Sequence, residues 1–346
     1  MADGTWTISS CLEWTRGYLE GKGDVRARYT AELLLTSVTG LSRVDIYMNF
    51  DKPLSRGELD RMHDAVVRRA KGEPVQYITG STGFRMIDVM CEPGVLIPRP
   101  ETEVLVGEVL DFLDRGPLGL VGPDGTQVQR RKRELPWSED MARHLDAPVD
   151  GESAQPIDVE DGADGDGGAP AVGSARVLEV GCGTGCISLS LVIERPEAVT
   201  CVATDISQQA VLLAKRNRDA LGVDPLALSI REGDLVSPVA EDELGTFDVL
   251  VSNPPYIPSG VMSSLPREVV DHEPSLALEG GEDGLDVFRR LVDAAPSVLR
   301  PGGLLACELF EESLEDAAGI CRAAGMRDVG IVKDLTGRPR IILARI

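Results

Sequence analysis

The second half of the chain alternates between short apolar runs that are typical of buried strands and segments with helical periodicity. This alternation begins at Arg176 and continues to Ile346. It predicts a mainly parallel sheet, because parallel neighbours need long connections and the helices that supply them cover the faces of the sheet. We therefore expect an α/β fold, with ligand-binding groups at the edge where the strands end.

The first predicted strand, residues 177–180, runs into a glycine-rich turn and then into a helix. The turn reads Gly181-Cys182-Gly183-Thr184-Gly185, and Glu179 precedes it within the strand. Glycines permit tight turning and let a ligand approach the backbone at the positive end of a helix. The turn alone does not identify the ligand, because dinucleotide-binding enzymes use a related one.

Acidic residues follow the next two predicted strands. Asp205 ends the second strand, where a carboxylate can accept hydrogen bonds from both hydroxyls of a ribose. Asp234 follows the third strand and is placed to meet an adenine amino group. Each carboxylate alone fits a helix cap or a surface position equally well. Together with Glu179 they fall at one edge of the predicted sheet, which indicates a binding site.

The fourth predicted strand, residues 247–251, is followed by Asn253-Pro254-Pro255-Tyr256. Two prolines fix φ and remove two backbone donors, so the chain must leave the sheet at this point. The turn leaves a carboxamide, backbone carbonyls and an aromatic ring at the edge of the sheet. Those groups suit the binding of a planar amino group.

The chain divides into three predicted parts. Residues 1–79 have helical periodicity, which predicts a helical bundle. Residues 80–98 predict a linking β-hairpin with strands at 84–89 and 95–97. Residues 99–346 are predicted to contain the α/β domain. An acidic, glycine-rich insertion at about 115–174 is predicted to be disordered, because it cannot bury enough apolar surface to offset its ordering entropy.

Composition narrows the class of partner and the location. A net charge of −22 disfavours a nucleic-acid partner, because nucleic-acid-binding proteins usually present a basic face to the phosphates. The seven cysteines are scattered, and Cys182 and Cys186 lack metal-site spacing, so reduced thiols and no metal are expected. The chain has no apolar run of about 20 residues and no basic-then-apolar start. We expect a cytoplasmic protein without a membrane partner.

The glycine-rich turn, Asp205 and the Asn-Pro-Pro-Tyr turn together resemble the class I S-adenosylmethionine-dependent methyltransferases that act on planar amino groups. Further segments resemble the HemK/PrmC family in particular, and these are residues 76–80, 96–103, 272–278, 280–286 and 335–340. Members of that family methylate the glutamine of the Gly-Gly-Gln motif in peptide chain release factors. The resemblance thus implies a Rossmann-like methyltransferase sheet, S-adenosylmethionine as the cofactor and a release factor as the protein substrate, recognised by the amino-terminal helices.

The resemblance also implies roles for individual residues. It places the methionine part of the cofactor at the glycine-rich turn, the ribose at Asp205, and the adenine edge near Asp234 and Leu235. The substrate amide would donate to the Asn253 side chain and the Pro254 carbonyl, with Tyr256 packed against its plane. The predicted cofactor-binding residues are Glu179, Gly181, Cys182, Gly183, Thr184, Gly185, Asp205, Asp234, Leu235 and Asn253, and the predicted catalytic residues are Asn253, Pro254, Pro255 and Tyr256.

Three other functions use parts of this pattern. A nucleic-acid adenine-N6 methyltransferase performs related chemistry on a flipped base, but the acidic charge and the family-specific segments disfavour it. A non-catalytic cofactor-binding partner protein would not need the intact Asn-Pro-Pro-Tyr turn. A nicotinamide oxidoreductase shares the glycine-rich turn but not the turn after the fourth strand.

Overall fold

The computed structural model of the protein describes residues 5–115 and 175–346. The predicted disordered insertion falls almost wholly outside these residues. Among the helices described, none combines the length and the apolar character that a membrane crossing requires.

The amino-terminal part is helical, as predicted. Its helices are α1 (Ile8–Gly21), α2 (Ala27–Thr39), α3 (Arg43–Met48), α4 (Arg56–Ala70) and α5 (Val75–Thr79). Thr7, Ser42 and Ser55 cap the starts of α1, α3 and α4, because each side chain accepts the backbone N–H three residues ahead. The apolar faces share one core, which includes Ile8, Leu19, Leu34, Leu35, Ile46 and Met62.

The hairpin lies earlier in the chain than predicted. Strand β1 (Ser81–Phe84) pairs with β2 (Ile87–Met90) in antiparallel register, and Arg85, with φ of 50°, lies in the turn. The predicted strand at 95–97 is wrong. This apolar segment is buried by packing and does not pair in a ladder: Val95 contacts the core formed by Ala210 and Leu213.

The remainder of the described chain forms a seven-stranded sheet with helices on both faces. Helix α6 (Pro100–Arg115) precedes the strands β3 (Ala175–Val180), β4 (Val199–Asp205), β5 (Leu228–Glu232), β6 (Phe247–Ser252), β7 (Leu299–Glu308), β8 (Arg327–Lys333) and β9 (Pro339–Arg345). The helices between them are α7 (Cys186–Glu194), α8 (Gln208–Ala220), α9 (Arg267–Val270), α10 (Asp286–Val298) and α11 (Leu314–Ala323), with short 3₁₀ turns at Glu241–Glu243, Met262–Ser264 and Ser275–Ala277.

The strand order is β5-β4-β3-β6-β7-β9-β8; β9 runs antiparallel to both of its neighbours, β7 and β8, and the other pairs are parallel. This confirms the predicted α/β, Rossmann-like fold. The chain moves outward from β3 to β5 and then returns to the other side of β3 with β6. The reversal leaves a crevice at the ends of β3 and β6, which is where open sheets of this kind bind ligands.

Two apolar layers enclose the sheet. All six residues of β6 are buried, as expected of a central strand covered on both faces. Helix α10 covers one face with Phe288, Leu291, Val292 and Ala295, which are 0 to 1% exposed. Burial of each such side chain contributes about 1.5 to 3 kcal/mol to stability, so these contacts stabilise the packing of α10 on the sheet.

Candidate active site

A cavity of about 590 Å³ lies at the ends of β3, β4 and β6. Its wall contains most of the predicted site residues, namely Glu179, Gly181, Cys182, Gly183, Thr184, Asp205, Asp234, Leu235, Asn253, Pro254 and Pro255. Gly185 and Tyr256 do not border it. The segment 94–99, predicted to be part of a hairpin, forms another part of the wall.

The glycine-rich turn has a backbone that side chains disfavour. Gly181, Gly183 and Gly185 have φ of 74°, 53° and 81°, all in the left-handed region. A Cβ on Gly185 would lie 3.2 Å from the Cβ of Ala214, so this glycine permits close packing between the turn and α8. A Cβ on Gly181 would meet no described atom within 4 Å, so the backbone at this position is open to a ligand.

Asp205 connects the glycine-rich turn to the end of β4. Its Oδ2 accepts the Gly183 N–H at 2.9 Å, and its Oδ1 accepts the Ser207 N–H at 2.8 Å. Burial raises the pKa of Asp205, and the two backbone donors oppose that rise. Each carboxylate oxygen can accept a second hydrogen bond, so the side chain fits a ligand with paired hydroxyls.

Glu179 is completely buried in β3. Its Oε2 accepts hydrogen bonds from the Ser188 N–H, at 3.0 Å, and from the Ser188 hydroxyl, whereas Oε1 has no partner among the described residues. Burial raises the pKa of Glu179 to about 8. A cation beside Glu179 would favour the ionised form and lower that pKa, so a buried carboxyl with a free oxygen in the wall of the cavity fits a cationic ligand such as the sulfonium of S-adenosylmethionine.

Asp234 and Leu235 form a third part of the wall. Asp234 Oδ2 lies 2.6 Å from Arg290 Nη2 of α10, and both side chains are about half exposed. The Leu235 carbonyl accepts the Thr204 hydroxyl at 2.8 Å. The sequence pattern did not indicate Arg290, because an arginine on a helix exposed to solvent has no distinguishing signal.

The turn after β6 is held by side chains from distant elements. Asn253 Nδ2 donates to Thr102 Oγ1 at 3.1 Å, and Asn253 Oδ1 is buried without a partner among the described residues. The Tyr256 hydroxyl donates to Glu308 Oε1 at 3.1 Å. Since this ring packs on the apolar core and does not border the cavity, its contact with a substrate amide stays a prediction.

Gly280 and Gly284 lie close to the backbone of the Asn-Pro-Pro-Tyr turn. The Gly280 N–H donates to the Ile257 carbonyl at 2.9 Å. A Cβ on Gly280 would lie 2.7 Å from the Pro255 oxygen, and one on Gly284 would lie 2.4 Å from the Tyr256 oxygen. The segment 280–286 therefore shapes the backbone of the Asn-Pro-Pro-Tyr turn.

Asn217 of α8 is a further residue that sequence analysis did not identify as part of the site. Its Oδ1 accepts the Met90 N–H at 2.7 Å, and its Nδ2 donates to the Thr184 carbonyl at 2.9 Å. The side chain is 1% exposed. It thus joins the glycine-rich turn to the end of the hairpin.

Residues from the first part of the chain also contact the wall of the cavity. Arg99 forms an ion pair with Glu273, which is buried, and the two residues tie segment 94–99 to the segment that follows α9. Arg69 of α4 bonds to Asp24 at 2.8 Å and to Glu268 of α9 at 3.0 Å. The helical part is therefore attached directly to the region after the Asn-Pro-Pro-Tyr turn.

No group of three or more histidine, cysteine, aspartate or glutamate side chains in the described residues could hold a metal ion. All seven cysteines are buried free thiols. Burial raises the pKa of Cys182 and of Cys186, and nearby carboxylates add to this effect. These thiols therefore behave as apolar side chains.

Comparison with known proteins gives consistent matches along the chain. A family model described as the PrmC N-terminal domain matches residues 10–80, and one described as the methyltransferase small domain matches residues 170–272. The release factor glutamine methyltransferase of Geobacter sulfurreducens is 37% identical over 82% of this chain and 77% of its own length. That of Caulobacter vibrioides is 32% identical over 97% of this chain and 96% of its own length.

Solved structures match a smaller part of the chain. A methyltransferase from Pyrococcus furiosus is 25% identical with a TM-score of 0.37, and the match covers 50% of this chain and 75% of that protein. A SAM-dependent methyltransferase from Aquifex aeolicus is 17% identical with a TM-score of 0.35, over 51% of this chain and 85% of that protein.

Proposed function

The chain belongs to the family of release factor glutamine methyltransferases, and we propose that it methylates a release factor. The methyl group comes from S-adenosylmethionine and is transferred to the side-chain amide nitrogen of the glutamine in the Gly-Gly-Gln motif. One observation supports this most directly. Asn253 borders the cavity, and its side-chain oxygen Oδ1 is a buried hydrogen-bond acceptor with no partner among the described residues. An entering amide N–H would satisfy it.

The residues proposed to hold the cofactor lie around the ends of β3 and β4. The glycine-rich turn would hold the methionine part, with Glu179 beside the positive charge. Each Asp205 oxygen already accepts one backbone N–H and can accept a second hydrogen bond, so Asp205 would accept one from each of the two ribose hydroxyls. Asp234 and Leu235 would border the adenine. When bound, the cofactor supplies an electrophilic methyl group on a sulfonium.

The substrate nitrogen needs activation, because its lone pair is delocalised into the amide carbonyl. The Asn253 side chain and the Pro254 carbonyl would accept hydrogen bonds from its two N–H groups. These bonds localise electron density on the nitrogen and align it for in-line displacement, and alignment can supply much of the acceleration. With the cofactor bound, the nitrogen held by Asn253 and Pro254 would bond to the methyl carbon as the carbon–sulfur bond breaks. The methylated nitrogen carries an extra acidic proton, which passes to solvent without a dedicated base.

We assign the domains on the same basis. Residues 1–79 would recognise the release factor, residues 80–98 would link the domains, and residues 99–346 would form the methyltransferase domain. The acidic charge supports a protein substrate over a nucleic acid, and a release factor substrate supports a cytoplasmic location.

Incubation of the protein with methyl-labelled cofactor and a release factor tests this function. We expect label on the wild-type factor and none when the Gly-Gly-Gln glutamine is replaced. Asn253→Ala should abolish labelling while cofactor affinity, measured by calorimetry, stays within about threefold. Gln208→Ala, which removes an exposed carboxamide at the start of α8 that does not border the cavity, is the matched control and should keep full activity. Label on nucleic acid alone, or full activity in Asn253→Ala, would overturn the proposal.

A further inference from the structure

Four side chains from three parts of the chain form one hydrogen-bonded network next to the cavity. Thr102 of α6 and Glu308, the last residue of β7, are 2% and 1% exposed. The Thr102 hydroxyl donates to Glu308 Oε2 at 2.6 Å and accepts from Asn253 Nδ2 at 3.1 Å. The Tyr256 hydroxyl donates to the other oxygen of Glu308 at 3.1 Å.

The chemistry of these groups gives the network a direction. An ionised carboxylate only accepts hydrogen bonds, and a threonine hydroxyl has a single proton. Since that proton goes to Glu308, Thr102 can only accept from Asn253. The Asn253 NH₂ group is therefore committed to Thr102, and the oxygen Oδ1 is the end that has no described partner.

The direction matters because the two ends of a carboxamide have opposite roles. With Oδ1 available, Asn253 can accept a substrate N–H. With the amide reversed, its own N–H groups would face those of the substrate, and the nitrogen could not be held. From this geometry we infer that Thr102 and Glu308 are positioning residues for methyl transfer, which set the orientation of the Asn253 amide. The inference rests on the proposed function and deepens it.

A purely structural role for the network explains less of what is observed. Such a role would join α6 to the sheet with every polar atom satisfied, since a buried acceptor without a partner costs free energy. Here the Thr102 and Glu308 oxygens are satisfied and the Asn253 oxygen alone is not. That pattern is expected of a site that is completed by a ligand donor.

The charge of Glu308 is set by the groups that face it. Burial raises the pKa of Glu308, and Glu101 adds to the rise, whereas the Thr102 and Tyr256 hydroxyls and Arg340 lower it. A protonated Glu308 would donate to one of the hydroxyls, and the direction of the network would no longer be set. The rate should therefore fall as the pH falls and Glu308 is protonated.

Substitutions at Thr102 separate orientation from packing. Thr102→Val keeps the shape and removes the hydroxyl, so we expect kcat for release factor methylation to fall about ten- to a hundredfold. The KM for the release factor and the Kd for S-adenosylmethionine should stay within about threefold. Thr102→Ser, which keeps the hydroxyl, should recover most of the rate. Thr246→Val is the matched control and should keep kcat within about twofold, because Thr246 precedes β6 at the end away from Asn253, donates to the Glu243 carbonyl at 2.7 Å and does not border the cavity.

Glu308→Gln gives a second measurement if Thr102→Val does not fold. It should lower kcat at neutral pH and remove the decline in rate that the wild type shows at acid pH. A Thr102→Val protein with kcat within about twofold of wild type, or equal losses in the Val and Ser variants, would overturn the inference alone. A wild-type protein that does not methylate the release factor would overturn the proposed function, and the inference with it.

Discussion

Replacing Gly280 with alanine is expected to slow methyl transfer while leaving cofactor binding intact. The new Cβ would lie 2.7 Å from the Pro255 oxygen and 2.8 Å from the Tyr256 Cα, and ordinary Cβ contacts begin at 3.4 Å. All of these neighbours are backbone atoms, so no side-chain rotation can relieve the overlap. The Asn-Pro-Pro-Tyr turn must therefore shift by about 0.7 Å relative to segment 280–286.

The size of that shift determines the expected loss. A misplacement of about 1 Å in a reacting group can cost about a hundredfold in rate, so we expect kcat to fall about ten- to a hundredfold. The residues proposed to hold the cofactor at the glycine-rich turn and at Asp205 lie at the ends of β3 and β4, and none of them is among the atoms nearest to a Cβ on Gly280. The Kd for S-adenosylmethionine should consequently change by less than about threefold.

Initial rates with a release factor and calorimetry with the cofactor measure the two quantities separately. Gly319→Ala in α11 is the matched control, because its Cβ would meet no described atom within 4 Å. That variant should keep full activity and gain about 0.5 to 1 kcal/mol of stability, as alanine does in a helix. If Gly280→Ala kept kcat within about twofold, or lost cofactor affinity in proportion to rate, the reasoning about the turn would be refuted.

Three further outcomes test other parts of the site. Asp205→Ala should raise the Kd for S-adenosylmethionine about a hundredfold or more, because the carboxylate would no longer accept hydrogen bonds from the two ribose hydroxyls. Unchanged affinity in calorimetry would contradict the proposed binding of the ribose by Asp205. Asn217→Ala should lower the free energy of unfolding, measured in urea, by about 2 to 5 kcal/mol, because the Met90 N–H and the Thr184 carbonyl lose their buried partner. A change below about 1 kcal/mol would contradict the role of Asn217 in joining the glycine-rich turn to the hairpin. Burial raises the pKa of Glu179 from its ordinary value of 4.5 to about 8. Between these two pH values the Glu179 carboxyl is protonated in the folded protein and ionised in the unfolded chain. This group should therefore reduce the free energy of unfolding by about 1.4 kcal/mol per pH unit as the pH rises between those values, and urea titrations of Glu179→Gln should lack that slope.

The elements that the sequence predicted well are those with local backbone causes. Glycines at 181, 183 and 185 adopt the left-handed φ that the turn requires, and Pro254 and Pro255 end pairing directly after β6. The hairpin was less predictable. An apolar run such as 95–97 fits a strand or a packed loop equally well, and only its contacts with Ala210 and Leu213 decide between them.

The sequence by itself thus determined the α/β fold, the edge at which the site lies and the residues of its two turns, because periodicity, glycine and proline act through neighbours along the chain. The tertiary structure alone decided which distant side chains orient those turns. Thr102 is 151 residues from Asn253 and 206 residues from Glu308, and Asn217 is 127 residues from Met90. Hydrogen bonds over such separations depend on how α6, α8 and β7 pack together. A local pattern carries no signal for that packing, since the same threonine or asparagine would be equally acceptable on a solvated helix face.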